Sequence, residues 1–363
     1  MRPNHRYTYL SDKTNRKKVL LQQYYNCFDF NYSKLIKDFE SRTFFFPTVE
    51  ISNINRNLNL LICYQLDNRL KYKEVDAYRI SDALKIKGHK VSIADINDSS
   101  IKYSLYDGVM LISYPSIKSM LLSEELQNLK IPVYQDFFMT AIGEDKLLSQ
   151  LLFNKFNIAS PKTFGTFFNE PINESKLSVF LSNENSVYVI KSNIGWCGNS
   201  VLAKTSLVEA VNTFKEIHRS SIQDQRGGAI IQEYIKTDES KTYAYRIYTL
   251  TTLSRISIIG AIKKIAGSTD DLLYKSSPDT CRIRIPIQDL DEEIKNLSIS
   301  VASIFDSRIL GIDIMYDTNE NKFKVIEVNP LPGTCKLFND TLVFNIYESW
   351  AESFVNFINN KFF

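Results

Sequence analysis

One stretch near the C-terminus, KFKVIEVNPLPGT over 322–334, constrains this chain more than any other. It reads as a strand that Pro-Leu-Pro-Gly stops at once, which leaves the last strand residues at a sheet rim. Glu327 and Asn329 are two apart, so their side chains share one face, with Val325 in alternation and Ile326 and Val328 on the other. At that spacing a carboxylate and an amide oxygen lie about 7 Å apart along the strand and suit Mg²⁺ bridging polyphosphate oxygens. The preceding strand, ILGIDIMYD, holds Asp313 between Ile312 and Ile314. If the two strands form a hairpin, Asp313 joins the same polar face. An acid inside an apolar strand is costly unless paired or metal-bound. The bland alternative is a solvated sheet face with incidental charge. Without metal, such a set of clustered carboxylates is expected to repel itself.

Two earlier segments are chemically suggestive but less specific. In SVYVIKSNIGWCGNS, Lys191 ends an apolar strand, and Gly195 and Gly198 interrupt the loop that follows. Only 12 glycines occur in 363 residues, so two within four positions mark a conformational need. A loop of this kind lets backbone N–H groups approach phosphate oxygens while the lysine adds a point charge. Taken alone, it reads more readily as a plain hairpin turn with an exposed lysine. In AIIQEYI, Gln232, Glu233 and Tyr234 close a very apolar strand. An adenine slot needs a backbone C=O and N–H on adjacent residues with apolar walls, and this segment offers both. Alone it is also a plain buried strand.

The pattern along the chain gives the organisation. Residues 1–55 are rich in Tyr and Phe without a clear period and read as an extension packed on the body, or else a binding arm. Over 56–140, strands such as LNLLICY and KVSIADI alternate with helical stretches such as VDAYRISDALKIKG, which argues for a small parallel sheet covered by helices. No GxGxxG follows the first strand, so a dinucleotide fold is excluded. Residues 141–235 and 236–363 read as two successive lobes of mostly antiparallel sheet packed on helices. The fold class is therefore α+β with an α/β portion in front. A net charge of +3 gives no case for nucleic acid. Neither an apolar leader nor a run of about 18 apolar residues is present, and a cytoplasmic, non-membrane protein is expected. Five scattered cysteines and three histidines fit neither a disulfide framework nor a zinc site.

The lysine strand with its glycine loop, QEYI, GIDIM and VIEVNPLPGT, in that order, resemble the ATP-grasp superfamily over about 140–350. The region upstream resembles its pre-ATP-grasp domain. Within the superfamily the chain is similar to carboxylate–amine and peptide ligases of the ribosomal-protein glutamate ligase and glutathione synthetase branch. The resemblance implies an ATP-grasp fold with Mg-ATP between two α+β lobes, Mn²⁺ being a substitute metal. Lys191 would bind phosphates, Lys146 would match the family's earlier nucleotide-contacting lysine, and the loop Ser192–Ser200 would close over the phosphates. The backbones of Glu233 and Tyr234, after Gln232, would read adenine. Asp313, Glu327 and Asn329 would hold metal. Arg246 resembles the family arginine that places substrate or phosphate. Two positions depart from the pattern. Ala244 stands where relatives carry a ribose-binding acid, for which Glu239 is the substitute, and Arg282 and Arg284 in CRIRIPI lack the family's accompanying asparagine. The implied activity joins a small-molecule or peptide carboxylate to an amine through an acyl phosphate, releasing ADP and phosphate. A phosphotransferase acting on a hydroxyl, or a silent nucleotide-binding protein, are the rivals; a homo-oligomer is left open.

Overall fold

The computed structural model describes residues 56–359 apart from 66–70, 114–116, 136, 168–169, 182–186, 195–201, 205, 225–227, 238–241, 253–254, 266–280, 306–307 and 334–340. All of them belong to one compact unit, Pro47–Phe363. The aromatic-rich stretch 1–55 lies outside the described residues.

The first layer is the expected parallel sheet. Strands β1 (Asn59–Tyr64), β2 (Lys90–Asp95), β3 (Gly108–Ile112) and β4 (Val133–Tyr134) lie in the order β2-β1-β3-β4, all parallel. Helix α1 (Lys71–Ile86) crosses from β1 to β2, and α2 (Ile117–Asn128) from β3 to β4. Both faces of β1 are covered, which is why LNLLICY is apolar without alternation. Leu60 and Ile62 meet Ala77, Ile80 and Leu84 of α1, while Leu61 and Cys63 meet Leu122 and Leu126 of α2. Burial pushes the Cys63 thiol up to about 12, so it is a packing residue and not a nucleophile.

Helices α3 (Phe137–Glu144) and α4 (Lys146–Lys155) lead into the first antiparallel lobe. Asp145 caps α4, accepting from the N–H groups of Leu147 and Leu148 at 2.9 and 3.0 Å. The lobe contains β5 (Thr163–Thr166), α5 (Glu174–Phe180), β6 (Tyr188–Ser192), β7 (Leu202–Lys204), α6 (Leu207–Asp224) and β8 (Ala229–Glu233), with strand order β5-β8-β6-β7. Period-two alternation sends Tyr188 and Ile190 of β6, with Ala229 and Ile231 of β8, onto Ala210 and Phe214 of α6. Lys191 therefore points to the opposite face.

The second lobe is a five-stranded antiparallel sheet. It comprises β9 (Tyr243–Thr252), β10 (Arg255–Ile265), β11 (Cys281–Arg284), β12 (Ile309–Asp317) and β13 (Lys322–Asn329), in the order β11-β10-β9-β12-β13. Helix α7 (Glu292–Phe305) buries Ile294, Val301, Ala302 and Phe305, and α8 (Thr341–Asn359) returns to the first layer, where Trp350 and Phe354 join the α1 core. Truncating a buried aromatic such as Trp350 would cost about 3–5 kcal/mol. Among the described residues, no helix is long and apolar enough to cross a membrane.

Candidate active site

Strands β12 and β13 form the hairpin that the sequence suggests, and Asp313 pairs with Glu327 and Gly311 with Asn329. The register then skips Ile326, because the next pair is Ile314 with Val325. This β-bulge corrects the simple alternation expected from the sequence. Val325 is fully buried. Ile326 instead packs against Ile235, Ala244 and Met315. The bulge lets an apolar residue and an acidic neighbour, Ile326 and Glu327, serve the same cleft.

The Asp313 carboxylate lies across β9 from Arg246, its register partner. Arg246 donates from Nε at 2.7 Å and from Nη2 at 2.5 Å, one to each carboxylate oxygen. Lys264 of β10 adds contacts from Nζ at 3.2 and 3.4 Å. Burial pushes the Asp313 carboxyl up, but the Arg246 and Lys264 charges outweigh it and hold the group at about 2. The expected self-repelling acidic cluster is therefore corrected: Asp313 is already paired with two cations. Glu327 has no side-chain hydrogen bond or ion pair among the described residues, and the Asn329 amide Nδ2 is buried without a partner.

Opposite this face stands Lys191, only 4 % exposed and without a hydrogen bond or ion pair among the described residues. Burial, opposed by the pull of Glu327 and Asp313 and helped by the repulsion of nearby Lys146, lowers its pKa to about 8. Lys264 also falls to about 8, through burial and the repulsion of Arg246, opposed by Asp313. Lys146, Lys191, Arg246 and Lys264 thus face Asp313 and Glu327, a net positive cleft in a buried setting. Such a site calls for a polyanion.

The donor set fits a divalent cation of the hard, oxygen-seeking kind. Glu327 is unpaired, Asp313 is oriented by Arg246, and the orphaned Asn329 amide can present its oxygen after a flip of the amide. A second acidic group, Glu233, Asp317 and Glu320, also gathers its carboxylates within 4.8 Å of one another. There the Nζ of Lys324 already sits at 2.8, 2.7 and 2.8 Å from the three.

Other sequence candidates are distributed unevenly. The N–H groups of Glu233 and Tyr234 donate to Lys162 O and Val187 O, both at 3.0 Å. The N–H half of the adenine expectation is therefore corrected; the next amide, that of Ile235, makes no backbone hydrogen bond among the described residues. Gln232 is buried and donates to Thr163 Oγ1 at 2.8 Å, so its side chain serves the first lobe. Ser192 donates to Ile194 O at 2.9 Å at the start of its loop, and Lys146 N–H donates to Asn193 O at 3.1 Å. Arg282 pairs with Lys264, and Arg284 with Ile262, which sets both arginines on the cleft face of the sheet's edge strand. Ala244 is buried against Ile235. Gly195, Gly198, Glu239 and most of the 192–200 loop lie outside the described residues.

Sequence reasoning missed three residues here. Lys264 and Lys324 are ordinary lysines until the strand register turns them inward. Gln135, at φ +64°, donates from Nε2 to Pro330 O and, at 3.2 Å, to Ile309 O. A Cβ on Gly143 would overlap the Pro330 ring, so helix α3 closes directly on the turn after Asn329.

The comparisons with known proteins bear on the family and the fold. A family model for the RimK-like ATP-grasp domain matches residues 143–353. A curated relative, the coenzyme gamma-F420-2:alpha-L-glutamate ligase of Methanocaldococcus jannaschii, is 27 % identical over 170 residues, which are 47 % of this chain and 52 % of that protein. The chain thus spans about half the length of that relative. Among solved structures, D-alanine–D-alanine ligase from Bacillus anthracis complexed with ATP superposes with a TM-score of 0.62 at 14 % identity, covering 84 % of this chain and 99 % of that one. The VanG D-Ala:D-Ser ligase from Enterococcus faecalis gives 0.60 at 12 % identity, covering 84 % and 100 %. These two likenesses concern the fold.

Proposed function

The chain belongs to the RimK-like ATP-grasp domain family, and on that premise we propose that it is a Mg-ATP-dependent carboxylate–amine ligase. Lys191 is the observation that carries the reading. A buried ammonium without a partner, facing a metal-type donor set, is tolerable only when an anion arrives to neutralise it. ATP triphosphate meets that need.

Each side chain then has a task. Lys191 and Lys146 hold phosphate oxygens from the first lobe. Asp313, Glu327 and Asn329 would hold Mg²⁺, which when bound would supply charge neutralisation to the phosphates. Arg246 and Lys264 keep Asp313 ionised and stand ready for charge on the transferring oxygens. Arg282 and Arg284 continue the cationic face outward, where a carboxylate substrate would lie. The carboxylate oxygen attacks the γ-phosphorus, ADP leaves, and an amine then displaces phosphate from the acyl phosphate. Neither step requires a nucleophilic side chain. The apolar cluster of Ile235, Ala244, Met315 and Ile326 would form one wall for the base. L-Glutamate is the first amine to try, because the name of the M. jannaschii relative contains it.

Phosphorus NMR with Mg-ATP and a pool of acids and amines tests the reading. ADP, free phosphate and an amide are expected. A phosphorylated hydroxyl product would convert the protein to a kinase, and AMP with pyrophosphate would overturn the mechanism.

A further inference from the structure

We propose that Lys324 is the pivot that fixes the base end of the cleft: it clasps Glu233 of the first lobe to the tip of the β12–β13 hairpin and so positions the nucleoside half of the ligand. The inference rests on the ATP-site reading above and extends it to a residue outside the phosphate and metal groups.

Lys324 is 2 % exposed, and its ammonium has three hydrogens and three carboxylate partners. Asp317 and Glu320 come from the hairpin itself, whereas Glu233 ends β8 in the first lobe. Burial disfavours the charged lysine, but hydrogen bonds to Asp317, Glu233 and Glu320 outweigh it and raise its pKa. It remains an ammonium throughout the working pH range. Backbone bonds flank the clasp on both sides. Val325 N–H donates to Ala159 O, and Thr318 N–H to Lys236 O, both at 2.8 Å. Two backbone bonds between the lobes thus stand beside the clasp.

The clasp borders an apolar cluster. Met315, the register partner of Lys324, packs with Ile235, Ala244 and Ile326. Glu233 lies two residues before Ile235, whose amide makes no backbone hydrogen bond among the described residues. The phosphate end is elsewhere. On the first lobe, Tyr188 pairs with Glu233 and Lys191 with Ile230; on the second, Met315 pairs with Lys324 and Asp313 with Glu327. Three residues of strand separate the ends of the first lobe, or ~10 Å. Lys324 can thus act on the base without touching the phosphates. A buried ion cluster adds little net stability over an apolar replacement, but it fixes a unique geometry.

The experiment measures Kd calorimetrically for adenosine, Mg-tripolyphosphate and Mg-ATP on the full chain, its Lys324→Met variant and, as a milder change, Glu233→Gln. In Lys324→Met, adenosine and Mg-ATP should weaken about 10-fold while Mg-tripolyphosphate stays within twofold. Glu233→Gln should shift the same two ligands in the same direction. Lys191→Ala should do the reverse, losing tripolyphosphate and sparing adenosine. Unchanged adenosine binding in Lys324→Met, or equal losses for all three ligands, overturns the proposal. If Lys324→Met does not fold, Glu233→Gln decides alone, and parental adenosine binding there overturns it. A failure of the ATP-site reading would appear in the parent, as absent Mg-ATP binding; a failure of the clasp appears only in the variants.

Discussion

Arg246 faces Asp313 across the β9–β12 ladder and grips both carboxylate oxygens, at 2.7 and 2.5 Å. The consequence is that a residue suited to metal is already neutralised before metal arrives, and removing it strands two buried cations. Asp313→Asn should therefore destabilise the unliganded protein, by about 3–5 kcal/mol. Urea unfolding of both proteins checks this. Parental stability in the variant would mean that the pair is not formed in solution.

Lys191 should behave in the opposite way. Its folded pKa of about 8 lies below the ordinary 10.5, so its contribution is fully present above 10.5 and is lost as pH falls through 8. At pH 7 the unliganded protein carries the full burden of a buried charge. Lys191→Met should raise the unliganded melting temperature at pH 7 and lower Mg-ATP affinity by about one to two decades. A drop in melting temperature would show that the ammonium has a structural partner.

Much of this site was legible because acids and lysines inside apolar strands stand out. Asp313 in GIDIM, Glu327 and Asn329 in VIEVNP, and Lys191 in VYVIK are all set where their alternation suggests. What could not be read depends on long-range register. Nothing local in IKKI says that Lys264, and not Lys263, meets Asp313, and the bulge at Ile326 exists only because β13 pairs with β12. Lys324 and Glu233 are 91 positions apart, so their contact follows from the docking of two lobes. Helices α7 and α8 do not stand out in the sequence beside the strong strands that precede them. Helix α8 in particular finds its partner, α1, at the other end of the described chain.

Asp145 gives a pH signature of its own. Burial raises its carboxyl to about 6 against the pull of two N-cap bonds and Lys146. A raised folded pKa means that its stabilisation is complete below the ordinary 3.8 and is lost as pH rises through 6. Asp145→Asn keeps the cap acceptor and removes the charge. The variant should match the parent near pH 4 and exceed it at pH 7 by roughly 2–3 kcal/mol at most. A variant weaker than the parent at pH 7 would contradict the burial argument.

Gln135 is a strained support for the turn after Asn329. Its left-handed backbone at φ +64° favours glycine, while its side chain holds Pro330. Gln135→Ala should lose about 1–3 kcal/mol from the stranded carbonyls, and Gln135→Gly should be about 1 kcal/mol more stable than the alanine variant. Chemical denaturation distinguishes them, and an alanine variant better than the glycine one would refute the strain.

The most direct test of the account is the melting temperature of the parent and of Glu327→Gln, each with and without Mg-ATP. Glu327 makes no side-chain hydrogen bond or ion pair among the described residues, so its neutral isostere should fold about as well as the parent. The parent should gain several degrees from Mg-ATP and none from ATP with chelator. In Glu327→Gln that gain should shrink and partly return as Mg²⁺ is raised. A variant that melts lower than the parent yet keeps the full Mg-ATP gain would make Glu327 scaffold and contradict the assignment of the cleft.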